Sequence, residues 1–222
     1  MIIVDDIQKS YGKKEILKGI SFSVSPGEQV AIVGRNGCGK STLMQIMAGV
    51  QKADHGSLQY YDKFPFKDKK VFRTLCGYVP QGNPLMEELT VQDNLKLFGA
   101  KKQDFSSPLL APFELESMLH TPVSKLSGGM KRRVAIACAV YYMPGILFMD
   151  EPTTALDIYY KTTIHDWMKE YQKMGGILIV TTHDELEIEM CNRVLLMREG
   201  HMTELEGEGR SLSSIRNYIL AQ

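Results

Sequence analysis

The chain has 222 residues, of which 44% are hydrophobic and 23% charged, and its 26 Lys plus Arg balance 26 Asp plus Glu. That length buries a real core without staples, and the zero formal charge argues against a non-specific nucleic-acid binder, whose affinity comes from neutralising phosphates. The four cysteines lie far apart, with no CxxC pair and no zinc spacing, which predicts reduced, mostly buried thiols in a cytosolic protein.

In chain order, the first fifteen residues are mixed and charged, unlike a signal peptide. Ile2–Ile7, Ile20–Val24 and Gly56–Tyr61 read as strands, with turns at Tyr11-Gly12-Lys13-Lys14 and Ser25-Pro26-Gly27; they predict an antiparallel layer. Val30–Val33, Gly77–Val79, Ile146–Met149 and Ile177–Val180 are short, nearly all-apolar runs. Such runs suit parallel strands covered on both faces. Helical patterns at Ser41–Val50, Lys131–Met143 and Lys161–Met174 lie between them, so the fold class is α/β with crossover connections. From Asn83 to Val123 the rhythm breaks. Pro84, Pro108, Pro112 and Pro122 punctuate the stretch, while Thr90–Gly99 and Phe113–His120 look helical, which predicts a small helical insertion. The domain reading is a core of 1–82 and 123–222 with a helical part at 83–122. The longest uncharged stretch, Val134–Met149, is sixteen residues and broken at Pro144-Gly145, so it reads as a buried helix and strand rather than a membrane span. Arg193–Arg198 and His201–Glu206 flank a hairpin turn at Glu199-Gly200, and Leu212–Leu220 reads as a terminal helix.

Gly34-Arg35-Asn36-Gly37-Cys38-Gly39-Lys40-Ser41 fits the P-loop pattern, follows an apolar strand and opens a helix. Glycines at 34, 37 and 39 let the backbone curl so that successive N–H groups, those of Asn36 and Cys38 included, point at phosphate oxygens. The helix N-terminus adds partial positive charge. Lys40 would reach the β and γ phosphates, Ser41 would hold Mg²⁺, and Thr42 would donate to the α phosphate. Thr42 also stands where a dinucleotide fingerprint needs its third glycine, which counts against that reading.

Ile146–Asp150 is an apolar strand ending in a carboxylate, with Glu151 next. Ligands bind at the carboxyl edge of open α/β sheets, so Asp150 suits the Mg²⁺ shell and Glu151 suits orienting and deprotonating a water.

Leu126-Ser127-Gly128-Gly129-Met130 lies about twenty residues upstream of Asp150. With Tyr11, the P-loop, Gln81, Asp150-Glu151, Asp157 and His183 in that order, the chain resembles the nucleotide-binding domain of an ATP-binding-cassette (ABC) transporter over nearly its whole length. The resemblance implies a P-loop NTPase core with ATP and Mg²⁺ as cofactors. It implies that Tyr11 stacks on adenine, that Gln81 reaches Mg²⁺ or water, and that Asp157, after Ala155-Leu156, crosses a dimer seam. It makes His183 a switch residue touching the γ phosphate and Glu151. Ser127, Gly128 and Gly129 would form an anion site at a helix start, gripping the γ phosphate bound by the other protomer.

The implied partners are a second cassette, as homodimer or heterodimer, and a transmembrane permease subunit; no nucleic acid is expected. The implied location is the cytoplasmic face of the cell membrane. Gly82–Leu97 would line a docking groove, with Leu85, Met86 and Leu89 either on that surface or in ordinary packing. The chain ends soon after the cassette, which favours an exporter. A soluble relative not coupled to transport is the alternative; a P-loop small-molecule kinase predicts no Ser-Gly-Gly element, and a non-catalytic cassette predicts loss of Glu151 or His183. Met130 departs from the usual glutamine, and Cys38 needs only its backbone N–H. Lys131-Arg132-Arg133 reads as a solvated helix start, because unpaired charges seldom bury.

Overall fold

The computed structural model describes residues 1–101, 105 and 107–220. Positions 102–104 and 106 of the expected insertion, and the last two residues, lie outside the described residues. Two sheets form the frame. The smaller runs β2-β1-β4, from Lys14–Val24, Ile2–Tyr11 and His55–Tyr60, and is antiparallel throughout. The larger runs β5-β6-β7-β3-β8-β9, from Cys76–Val79, Ile146–Asp150, Ile177–Thr181, Gln29–Val33, Arg193–Arg198 and His201–Leu205. It is parallel except for the β8–β9 hairpin.

Every residue of β3, β6 and β7 is buried, and alternation sorts their side chains into two cores. Val30, Ile32, Ile146, Phe148, Ile177 and Ile179 face the antiparallel sheet and helix α1 (Lys40–Met47). Ala31, Val33, Leu147, Met149, Leu178 and Val180 face the opposite, mostly helical layer. That layer includes α3 (Val91–Leu97), α4 (Gly128–Val140), α5 (Ile158–Lys173) and α6 (Glu185–Met190). Two short elements escaped the sequence reading, α6 and α2 (Lys70–Leu75); neither is longer than two turns. Helix α7 (Leu212–Leu220) follows the hairpin.

Side-chain caps move two helix starts ahead of the expected ones. Ser127 accepts from the Met130 N–H (3.3 Å) and starts α4 at Gly128; Asp157 accepts from the Tyr160 N–H (3.0 Å) and starts α5 at Ile158. Phe113–His120 is not one helix but two 3₁₀ turns, Ala111–Phe113 and Glu116–Met118. Pro112 limits the first turn, and Glu114 sits between them at φ 48°, a left-handed conformation that no helix continues through.

The insertion is closed at its neck. Val91 N–H donates to Thr121 O (3.1 Å), Gln92 N–H to Leu119 O (2.9 Å), Val123 N–H to Leu89 O (2.9 Å) and Ser124 N–H to Glu87 O (2.9 Å). The fully buried Asn94 pins the loop before α3: it accepts from Met86 N–H (2.8 Å) and donates to Met86 O and Thr90 O (3.0 Å each). Phe113 then packs on Trp167 of α5, centroids 5.8 Å apart. Leu85 belongs to the core, Leu89 is half-buried and Met86 is 56% exposed, so the three do not share one surface. No helix among the described residues is long and apolar enough to cross a membrane.

Phe148 is fully buried in the middle of β6, its ring centroid 6.3 Å from that of Tyr60 in the smaller sheet. Phe148→Ala is expected to cost about 3–5 kcal/mol. Urea unfolding reads this out; a loss below roughly 1 kcal/mol would mean that the contact between the sheets is not the principal packing.

Candidate functional site

Register builds the site before any side chain is considered. Ile32 of β3 pairs with Thr181 of β7, and Thr181 pairs with Asp150 of β6. Val79 of β5 pairs with Met149, so Gln81 and Glu151 both stand two residues past that rung. Gly34 and His183 each stand two residues past the Ile32–Thr181 rung. One edge of the sheet therefore carries the P-loop, Asp150-Glu151, Gln81 and His183.

The P-loop curls over the end of β3. At Gly34, φ is 154° and a Cβ would overlap the carbonyl oxygen of Met197, so no other residue fits. Lys40 is buried, and its ammonium donates back to the Gly34 and Arg35 carbonyls at 2.7 and 3.1 Å. Gly39 caps α1 without any side-chain bond, so the first N–H groups of that helix carry no side-chain cap. A cleft of about 370 Å³ opens beside the loop, lined by Tyr11, Asn36, Gly37, Gly39, Lys40, Ser41, Thr42, Gln81 and Glu151, with Ile16 as its apolar wall. Tyr11 is 51% exposed at its rim, its hydroxyl bonded to Gln51. Cys38 is half-buried behind the loop; the other three thiols are buried, which pushes each up to about 12.

Asp150 is buried, and its carboxylate accepts a bond from the Thr181 hydroxyl. Glu151 turns out of line at φ 51°. Its N–H donates to Thr181 O (2.9 Å), its carboxylate accepts from the Thr154 hydroxyl (3.2 Å), and it lies 3.8 Å from His183 Nε2. Ser41, Gln81 and Asp150 together offer a hydroxyl, an amide oxygen and one carboxylate. Among the described residues no trio of His, Cys, Asp and Glu forms a closed metal cage. That sparse, hard-oxygen set suits Mg²⁺, which keeps water and phosphate oxygens in its shell.

Ser127, Gly128 and Gly129 do not line this cleft. Ser127 and Gly128 are exposed at the start of α4. Their neighbour is instead the loop before α5: a Cβ at Gly129 would come 3.2 Å from the Ala155 carbonyl oxygen. Asp157, exposed, caps that next helix. The thirteen-residue α4 is capped by the Ser127 side chain, and its first residue, Gly128, is exposed.

The basic cluster departs from the sequence reading. Lys131 does sit near the surface, paired with Glu87 at 2.8 Å. Arg132 and Arg133 are buried, with 8% and 4% exposure. Arg132 donates to four main-chain carbonyls: Pro152 (2.9 Å), Asp150 (2.6 Å), Glu151 (2.8 Å) and Pro80. Burial pushes its pKa downward, opposed chiefly by Asp150 and then by Glu187 and Glu151. Arg133 lies 3.7 Å over the Tyr160 ring and bonds Phe113 O (3.2 Å). For Arg132 four carbonyls supply what water would; Arg133 has one carbonyl, the Tyr160 ring and Glu114 at 3.6 Å, while its Nε–H finds no partner among the described residues. Periodicity carries no trace of such partners, since they come from residues distant in sequence.

The family model described as "ABC transporter" matches residues 17–154. The chain is 37% identical over 204 residues to the Nod factor export ATP-binding protein I of Paraburkholderia xenovorans, covering 88% of this chain and 67% of that one. It is 34% identical over 212 residues to the linearmycin resistance ATP-binding protein LnrL of Bacillus subtilis, covering 91% and 68%. It thus spans about two thirds of the length of such curated relatives. Among solved structures, an ATP-binding subunit of an ABC transporter matches with TM-score 0.88 and 26% identity, over 99% of both chains. A dimeric ATP-binding cassette in a post-hydrolysis state, bound to ADP and Pi, matches with TM-score 0.84 and 28% identity, over 93% of this chain and 100% of that one.

The buried ammonium at the mouth of the cradle yields a direct expectation. Lys40→Ala should weaken nucleoside-triphosphate binding by about 10- to 100-fold, the worth of a charged hydrogen bond. Calorimetry measures it, with circular dichroism to establish an intact fold; unchanged affinity would mean that the loop does not hold the phosphates.

Proposed function

The chain belongs to the ABC transporter family, and from that premise we propose that it is the ATP-hydrolysing subunit of an exporter, closing as a dimer on two Mg-ATP to drive a separate membrane subunit. One observation carries the dimer. The cleft gathers Tyr11, Lys40, Ser41, Gln81 and Glu151 within one chain, while Ser127-Gly128-Gly129 sits outside it, with Ser127 and Gly128 exposed. A helix N-terminus with a hydroxyl and an open glycine at Gly128 is an anion site that faces away from its own chain's phosphate cleft. A second copy, turned so that each α4 faces the other's cleft, gives both sites a γ phosphate to grip. Asp157 then lies at the seam, because its loop touches Gly129.

Within each cleft the residues divide the work. Gly34–Gly39, through the N–H groups of Asn36, Gly37 and Cys38 among others, wrap the β phosphate; Lys40 takes the β and γ oxygens and Thr42 the α. Tyr11 stacks on adenine. Ser41, Asp150 and Gln81 would hold Mg²⁺, which supplies charge neutralisation at the phosphate oxygens. Glu151 acts as general base toward a water, and His183, 3.8 Å away, orients it and meets the γ phosphate. Cleavage removes the group that both chains grip, so the pair loosens: the ligand shifts the equilibrium by its differential affinity.

The exporter direction is supported by the relatives' names, which speak of Nod factor export. The zipped neck supports treating 83–122 as a helical part that moves against a core of 1–82 and 123–222. The permease would meet that part near the exposed Met86, which puts the chain on the cytoplasmic face of the membrane.

Glu151→Gln is expected to keep ATP binding and to slow turnover by roughly 10²- to 10⁴-fold. Sedimentation of that variant with ATP should give a dimer; a persistent monomer would count heavily against the shared site. Ser127→Arg should abolish turnover while the separate chain still binds ATP by calorimetry. Full turnover in that variant would remove α4 from the reaction.

A further inference from the structure

We propose that Arg132 is a positioning residue for hydrolysis, holding Glu151 in its left-handed conformation and fixing the Gln81 loop with the same guanidinium. The proposal rests on the reading of Glu151 as general base. Glu151 carries φ 51°, a region that a non-glycine residue occupies only when its surroundings impose it. Both sides of that residue are tied. Its N–H donates to Thr181 O at 2.9 Å, and its carbonyl accepts from Arg132 at 2.8 Å. The carbonyls before and after it, on Asp150 and Pro152, accept from Arg132 as well, at 2.6 and 2.9 Å. Three consecutive carbonyls thus turn inward on one buried cation.

The fourth bond extends the tie sideways. Arg132 also donates to the carbonyl of Pro80, the residue just before Gln81. A planar guanidinium has five N–H donors in a fixed fork, enough to span two strand ends at once; an ammonium on a single stem is not. These four Arg132 bonds all go to backbone, leaving the Asp150 carboxylate to Thr181 and to a metal. Arg132 stands five residues after the Ser127 cap, on the same helix. Tilting α4 therefore pulls on the base and the glutamine loop together, and the clamp links the exposed grip on one side of the chain to the water-activating carboxylate on the other.

The test compares Arg132→Lys and Arg132→Gln with the wild-type chain and with Glu151→Gln. In both Arg132 variants kcat should fall about 10- to 100-fold, the scale of a misplaced catalytic group. KM and the calorimetric Kd for ATP should stay within roughly threefold, the pattern of an interaction made only in the transition state. The ATP-bound dimer should outlive that of the wild type in sedimentation, because it forms and is not consumed. A folded variant with kcat within about twofold of wild type overturns the proposal. So does one whose ATP affinity and dimer fall in step with kcat, the mark of a general packing defect. Glu151→Gln keeps the two ideas apart: if it turns over normally, the base assignment fails on its own account. If neither Arg132 variant folds, the wild-type chain decides by NMR. Arg132 Nε–H should exchange at least about tenfold more slowly than that of the exposed Arg35, and equal rates overturn the clamp.

Discussion

Burial of the parallel sheet on both faces is the constraint from which the rest follows. β3, β6 and β7 expose nothing along their length, so polar chemistry can appear only where the strands end. Parallel pairing then puts all those ends on one edge, and the register aligns them to within a residue or two. A glycine loop, an adjacent pair of carboxylates, an amide and an imidazole come together from four separate stretches of the sequence. The loop lengths need only carry the chain back under the sheet.

A second layer of order stands behind that edge. Thr181 bonds the Asp150 carboxylate and the Glu151 N–H, and Thr153 bonds the buried Glu187 at 2.6 Å, with His165 3.5 Å from the same carboxylate. Arg132 fills the space between with main-chain bonds. A buried charge is costly unless satisfied, and this one is satisfied by the very turn it shapes. The site is therefore rigid in its floor and open at its rim, where Tyr11, Gln81 and His183 are exposed.

The two sheets, their alternating cores and the phosphate loop were legible because each has a local signature: apolar runs of strand length, glycine spacing, a lysine at a helix start. The cluster at 131–133 was not. A stretch of Lys-Arg-Arg looks the same whether it faces water or a fold of carbonyls, and only tertiary placement distinguishes them. Phe113–His120 misled for the opposite reason. Its apolar spacing resembled a helix, but Glu114 is turned left-handed and its carboxylate accepts bonds from the Tyr159 and Tyr160 hydroxyls at 2.9 and 2.8 Å. Partners forty-five residues away decided the local backbone.

The neck that joins 87–92 to 119–124 has one further effect. Its main-chain bonds hold both ends of the excursion together, so the described part between them reaches the core through side chains, Phe113 against Trp167 and Glu114 against Tyr159 and Tyr160. Lengthening or shortening such an excursion changes closure entropy only logarithmically. An excursion tied off in this way can change length at its outer end while the neck still returns the chain to the same place at the start of α4.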